Sequence, residues 1–513
     1  MSKLALQLIA ENKKTKSTFL DLGNCGLTEL PEELAELVWL ERLNLGDKWW
    51  EWDGKGYQYT KTQNKGEANK HLHGLVLLRK LPQLQMIAAN GTAVADITPL
   101  ANLLKLQNLN FLHCPVKDLT ALAQLSSLRV FICNSKFISD LSPLSGLSAL
   151  QSLYLDSTQV SELSPLAGLS ALQSLNLNST QVSDLSPLSG LSALQSLYLN
   201  STQVSDLSPL SGLSALQRLW LDSTQVSDLT PLRGMIRRGT SVSVEGRGSI
   251  RVENCPLTIP PLEIAAQGNA AILNYFRERD AGEIDHLFEA KMLILGDGGA
   301  GKTSLLRRLY QPKEPLPLEQ ESTKGIDIHR HEFPLPNGRT FRLNVWDFGG
   351  QEIYHATHQF FLTRRSLYLL LDDTRKDHKS VSDPGFKDWL DLIEMFGDNS
   401  PALIFQNEKA GRSKAIGFNG IQARYPLVKA CFQGNLGHDD SADTLRNAIA
   451  DYAAKLPHIG DEVPAKWIKV RAELEQRARQ VPHISQQAYF EIYSRHLPFD
   501  RTKALHLSRY FND

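Results

Sequence analysis

Much of what this 513-residue sequence lacks narrows what it can be. It has no apolar run of the roughly 18–20 residues needed to span a bilayer, so no membrane-spanning helix is expected. Its first ten residues, MSKLALQLIA, hold too short an apolar stretch for a signal peptide and no small-residue cleavage site. It lacks a charge excess: 55 Lys+Arg against 56 Asp+Glu leave a formal net charge of −1, which gives no electrostatic reason to expect nucleic acid as a partner. Cysteine is scarce. The five (Cys25, Cys114, Cys133, Cys255 and Cys431) are scattered and never spaced as CxxC, a pattern that fits reduced thiols in a cytoplasm. What is present, 42% hydrophobic and 22% charged residues, describes ordinary globular chain, enough for about three folded units.

A repeat stands out first. The acidic residue opening each Asp-Leu-x-Pro-Leu-like unit falls at Asp96, Asp118, Asp140, Glu162, Asp184, Asp206 and Asp228, in steps of 22 residues. Within a unit, as in Leu150 to Val160, the pattern is LxxLxL, a polar residue, Thr158 and a further aliphatic. This resembles the leucine-rich repeats, with Thr158, Thr180, Thr202 and Thr224 where Asn or Cys is more usual. One short strand and turn cannot bury its leucines alone, whereas stacked neighbours share a continuous core. The buried threonine hydroxyls are expected to bond the backbone of the next turn as a ladder. Strand alternation sends Leu153 and Leu155 inward and Ser152, Tyr154 and Asp156 outward. The outward rows pave a concave face on which Tyr154, Asn176, Tyr198, Arg218 and Trp220 are candidates for binding a protein partner. A spacer that grips nothing is the alternative. Upstream, Phe19–Leu27 and Leu40–Leu45 read as irregular opening repeats behind a capping helix over residues 3–14. An insertion from Gly46 to Lys70, with Trp49, Trp50 and Trp52, carries five Lys against four Asp/Glu and reads as a packed loop.

The period stops near Gly234. Residues 237–246 read as strands closing the solenoid, and 263–279 as a helix leading onward. An apolar strand, Lys291–Leu295, then runs into Gly296-Asp297-Gly298-Gly299-Ala300-Gly301-Lys302-Thr303 and a helical run from Ser304 to Tyr310. This is GxxxxGK[ST] in the strand–loop–helix setting it requires. Its glycines let backbone N–H groups turn toward phosphates at a helix N-terminus. Lys302 supplies charge to the β- and γ-phosphates, and the Thr303 hydroxyl is a candidate Mg²⁺ ligand. A second strand ends in Trp346-Asp347-Phe348-Gly349-Gly350-Gln351-Glu352. Asp347 is placed to reach the Mg²⁺ shell, Gly350 to turn its N–H onto a γ-phosphate, and Gln351 to orient attacking water. Thr323, between the two motifs, is a candidate second Mg²⁺ hydroxyl. Strands over 367–371, 402–406 and 427–432, with helices between them, predict a doubly wound α/β sheet with ligand beyond the strands' carboxyl ends.

From Pro256 through the Asp347–Glu352 motif and His355-Ala356-Thr357-His358-Gln359-Phe360-Phe361 the sequence resembles the Roco proteins. In that family leucine-rich repeats precede a Ras-like GTPase domain, Roc, and Roc precedes a dimerising COR domain. The resemblance implies the fold class: a leucine-rich-repeat solenoid followed by a Ras-like P-loop GTPase domain with a mostly parallel six-stranded sheet. The divisions expected are residues 1–95 for the cap and irregular repeats (insertion 46–73), 96–235 for the regular repeats and 236–285 for the solenoid cap and linker helix. Roc is expected over 286–458, and only the start of COR over 459–513. It further implies GTP and GDP as ligands with Mg²⁺, slow intrinsic hydrolysis by Gln351, Lys302 and Gly350, and a homodimer through COR in the full-length protein, a monomer staying open for this stretch. The signalling class and a cytoplasmic location come with it.

One departure bears on the base. GTPases select guanine with Asn-Lys-x-Asp; here the strand is followed by Asn407-Glu408-Lys409-Ala410, with no carboxylate at the fourth position. Hydrogen bonds to a charged group contribute about 1.5–3 kcal/mol each, so losing two erases most guanine preference unless Glu408 or another group replaces it. A SAK-like loop is also absent, with residues 432–437 in its place. Poor base selectivity, an ATP-preferring variant and a nucleotide-stabilised scaffold without turnover therefore stay open. His355 and His358, without a third ligand at suitable spacing, read as switch-region or helix-packing residues. Arg364 and Arg365 read as surface residues rather than arginine fingers.

Overall fold

The structure is a computed structural model that describes residues 2–52, 57–317, 325–335, 338–348, 362–363, 365–373, 384–397, 400–408, 417–438, 442–456, 458–481 and 483–512. It divides into two compact units, Met1–Glu278 and Arg279–Asp513.

The first unit opens with a helix, Lys3–Thr15, whose N-cap Ser2 accepts from the Ala5 amide and whose C-cap Lys16 turns left-handed at φ 55°. Behind it runs an 11-stranded sheet in which every pairing is parallel. The 22-residue period is its register: Ser174 pairs with Ser196, and Ser196 with Arg218. Leu153, Leu155, Leu175, Leu177, Leu197 and Leu199 are all fully buried, so each strand contributes to one continuous core. The periodic acidic residue has a local task. Asp184 Oδ1 accepts the Ser186 amide at 2.8 Å, and Asp206 Oδ1 the Ser208 amide at 2.8 Å, starting the short 3₁₀ turns of their repeats. The sheet ends out of sequence order: Ile250–Arg251 pairs with the strand Arg218–Trp220, and Val242–Ser243 takes the edge.

Three expectations change. The threonines do not bond the next turn: Thr158, Thr180 and Thr202 each donate to the carbonyl three residues back in their own repeat, at 2.7 Å. The ladder between repeats runs instead through backbone bonds such as Ser179 N to Asn200 O, and through Asn178 and Asn200, whose Oδ1 atoms accept the amides of Asn200 and Asp222 at 2.8 and 2.9 Å. The insertion is a β-hairpin, Lys48–Trp52 with Tyr57–Lys61, rather than a loop, and Trp49 is buried against Met86 and Ala88. The helix over 263–279 is two helices, Leu262–Ala265 and Asn269–Ala281, parted by Gly268 at φ 87°.

The second unit is built on six strands: β1 (Glu289–Leu295), β2 (Ile326–Pro334), β3 (Thr340–Phe348), β4 (Ser366–Asp373), β5 (Ala402–Asn407) and β6 (Val428–Gly434). Their order is β2-β3-β1-β4-β5-β6, parallel throughout except β2 against β3. Side chains alternate between two cores. Met292, Ile294, Leu369 and Phe405 pack with Leu305 and Leu309 of the helix Lys302–Tyr310 and with Leu445 and Ile449 of the helix Asp443–Ala454. Leu293, Leu295, Leu370 and Ile404 pack on the other face with Trp389, Ile393, Ile421 and Tyr425. Near-continuous apolar strands are what a sheet covered on both faces demands. Within this unit Ile284–Leu287 pairs antiparallel with Asp461–Pro464, ahead of the helices Ala465–Ala478, Gln486–His496 and Arg501–Asn512.

Candidate functional site

The carboxyl ends of β1, β3 and β5 bring four of the sequence-selected side chains together. After Leu295 the chain turns at Gly296, φ 140°, where a Cβ would lie 2.7 Å from the Leu371 carbonyl oxygen of β4. It turns again at Gly301, φ 101°, where a Cβ would lie 2.6 Å from Asn407 Nδ2. No other residue type fits either position. Gly298 and Gly299 are exposed, Asp297 is half-buried and Ala300 is buried, so the middle of the loop faces outward.

Lys302, the first residue of its helix, is only 6% exposed and donates from Nζ to the carbonyl oxygens of Gly296 (2.7 Å) and Asp297 (3.1 Å). Burial lowers its pKa to about 8, with Asp347 and Asp297 pulling the other way. Thr303 Oγ1 donates to Asp347 Oδ2 at 2.8 Å. Asp347 is fully buried near the end of β3, paired with Ile294 of β1. A hydroxyl and a carboxylate oxygen side by side are the hard oxygen donors that Mg²⁺ takes alongside phosphates, so these residues fit that ion. Ser304 is half-buried in the first turn of the same helix.

Asn407 ends β5, is 1% exposed and donates from Nδ2 to the Ala300 carbonyl at 2.8 Å, which fastens the β5 end to the glycine loop. Glu408 follows half-buried, its amide bonded to the Gly434 carbonyl at 2.9 Å. Thr323, Gly350, Gln351, Lys409, Ala410, His355, His358 and Arg364 lie outside the described residues. Arg365 is no surface residue: its guanidinium pairs with buried Asp461 at 3.1 Å, its own side chain 11% exposed. Sequence reading also passed over Asp372, near the end of β4, which accepts from Gln406 Nε2 at 3.2 Å.

On the repeats, Tyr154 is half-buried with its hydroxyl 3.0 Å from Ser174 Oγ, and Asn176 Oδ1 accepts the Asn178 amide at 3.0 Å. Tyr198 and Trp220 meet edge to face at 4.7 Å, while Arg218 is exposed. Arg251, not selected from sequence because it lies beyond the regular period, stands 4.7 Å over the Trp220 ring and pairs with Asp222 at 2.5 Å.

Comparison with known proteins fits this geometry. Residues 291–410 match the family described as "Ras of Complex, Roc, domain of DAPkinase", and residues 148–190, 170–212 and 192–234 match "Leucine Rich repeats (2 copies)". A Roc-COR-CHAT protease of an unknown prokaryotic organism is 29% identical over 231 residues, 41% of this chain and 21% of that protein. A protein of the same name from Runella zeae is 28% identical over 226 residues, 40% of this chain and 24% of its own length. Among solved structures, Methanosarcina barkeri Roco2 RocCORdC bound to GDP is 34% identical, covering 45% of this chain and 69% of that one with a TM-score of 0.40. The second unit therefore carries a Ras-like domain of the P-loop GTPase family, which follows the leucine-rich repeats in sequence. The chain belongs to the Roco family. It spans less than a quarter of the length of those two curated relatives. Among the described residues no helix is long and apolar enough to cross a membrane.

Proposed function

We propose that the chain is a regulatory GTPase switch coupled to a protein-recognition surface. The observation that carries this reading is the convergence of Lys302, Thr303, Asp347 and Asn407 on one glycine loop. Gly296 to Ser304 hold the phosphates through amide hydrogens and the Lys302 charge, and Asn407 and Glu408, with Lys409, stand on the base side. Thr303 and Asp347, with Thr323, would hold Mg²⁺, which supplies charge neutralisation to the phosphates when bound. Gln351 orients the attacking water and the Gly350 amide receives the γ-phosphate. Hydrolysis releases both switch segments, and the change passes to the repeats and to residues 459–513, a COR segment through which two copies of the chain pair. A protein partner occupies the concave face at Tyr154, Asn176, Tyr198, Arg218 and Trp220, and the chain works in the cytoplasm. Single-turnover phosphate release from bound GTP tests the enzyme: it is expected to be slow in the wild type and at least tenfold slower in Gln351→Ala. No release from the wild type leaves only a nucleotide-stabilised scaffold.

A second reading rests on Ala410, which removes the base-pairing carboxylate of the guanine motif. It favours a P-loop hydrolase with weak guanine preference, and comparable calorimetric affinities for GTP and ATP would select it.

A further inference from the structure

The arginine-bearing run Leu305-Leu306-Arg307-Arg308-Leu309 sits on the phosphate-binding helix, and its second arginine faces inward. Arg308 is 6% exposed. Its Nε donates to the Leu436 carbonyl at 2.8 Å, and Nη1 donates to the carbonyls of Pro312 at 2.6 Å and Glu314 at 3.0 Å. A buried guanidinium is costly unless its donors are met, and here one planar fork meets backbone oxygens from two separate stretches. The carbonyl end of the same helix is held in turn by Arg446, which donates to the Leu309 carbonyl and, at 3.0 Å, to that of Arg308.

The placement of Leu436 gives the clasp its meaning. It lies in the turn after β6, where Asn435 Oδ1 accepts the Gly437 amide at 2.9 Å, and its side chain stands 3.6 Å from where a Cβ on Gly301 would be. The neighbouring β5 end is bonded to the loop through Asn407 and to β6 through Glu408. The turn therefore borders the nucleotide site on the side where Asn407 stands, in a chain whose usual base-selecting carboxylate is replaced by Ala410. We propose that Arg308 is a positioning residue of the nucleotide site: its buried guanidinium fastens the base-side turn at Leu436 to the phosphate-binding helix, so that retention of the base depends on this clasp. The inference rests on the nucleotide-binding reading above. Arg308 acts through the turn, its guanidinium bonded to backbone carbonyls.

The test compares wild type, Arg308→Lys and Arg308→Met in the full chain with two probes, a fluorescent GDP and inorganic triphosphate, which has no base. Dissociation of the fluorescent GDP is expected to be about tenfold faster in Arg308→Met and intermediate in Arg308→Lys, which reaches fewer of the carbonyls. Triphosphate affinity, read by competition, is expected to stay within about twofold, because Lys302 and the loop are intact. A purely structural role would weaken both probes together, and that result, or unchanged GDP dissociation in both variants, overturns the proposal. If Arg308→Met does not fold, Arg308→Lys decides by the same comparison. A wild type that retains no fluorescent GDP overturns the nucleotide reading itself and this proposal with it.

Discussion

Lys302 carries two opposite pH dependences. Its pKa in the folded chain lies near 8, below the ordinary lysine value of 10.5, because burial disfavours the charged form. Between those two values the unfolded chain binds a proton that the folded chain does not, so this lysine makes the ligand-free protein more stable as pH rises through that window. Nucleotide binding needs the ammonium form, so its affinity is expected to fall by about tenfold per pH unit above 8. Calorimetric affinities and melting midpoints from pH 7 to 10 check both signs. Lys302→Ala should remove the affinity and flatten the pH dependence. At Gly301 the close approach to Asn407 and the left-handed backbone forbid a side chain: Gly301→Ala is expected to lose nucleotide binding at least tenfold.

Among the elements, the repeats make a separate prediction about the asparagine ladder. Asn200 accepts the Asp222 amide and gives its own amide to Asn178, so Asn200→Ala should cost about 1 kcal/mol. Because both accepted amides are main-chain and survive the substitutions, its cost should add to that of Asn178→Ala in a double-mutant cycle. Thr202→Val breaks only a bond within its own repeat and should not couple to Thr180→Val. Denaturant unfolding of the four variants and two doubles checks this. Here sequence reading went astray for a physical reason: a buried hydroxyl at a fixed period resembles a ladder, yet threonine reaches only the carbonyl one turn back. The strand–loop–helix at Gly296–Thr303 was legible because phosphate binding needs glycines and lysine at fixed local spacing. The Asn407–Ala300 bond spans 107 residues, and the Arg308 clasp reaches Leu436 across 128, so neither leaves a local pattern. Arg365 read as surface because an arginine after a switch is usually solvated; its partner Asp461 is 96 residues away. The hairpin was hidden by the mixture of tryptophan and lysine, which does not alternate cleanly between apolar and polar.

For the whole molecule, the two compact units answer different questions. The repeat sheet owes its stability to leucines shared between neighbours and binds no nucleotide in this account. If it binds nucleotide as proposed, the Roc-bearing unit should gain stability by mass action, about 2.7 kcal/mol at a ligand concentration one hundred times the Kd. The most direct measurement of the central claim is a calorimetric titration of the whole chain with GDP in Mg²⁺, repeated with Lys302→Ala. The account predicts one saturable site on the wild type and none on the variant. A wild type that takes up no GDP, or a Lys302→Ala chain that binds it as tightly, would contradict it.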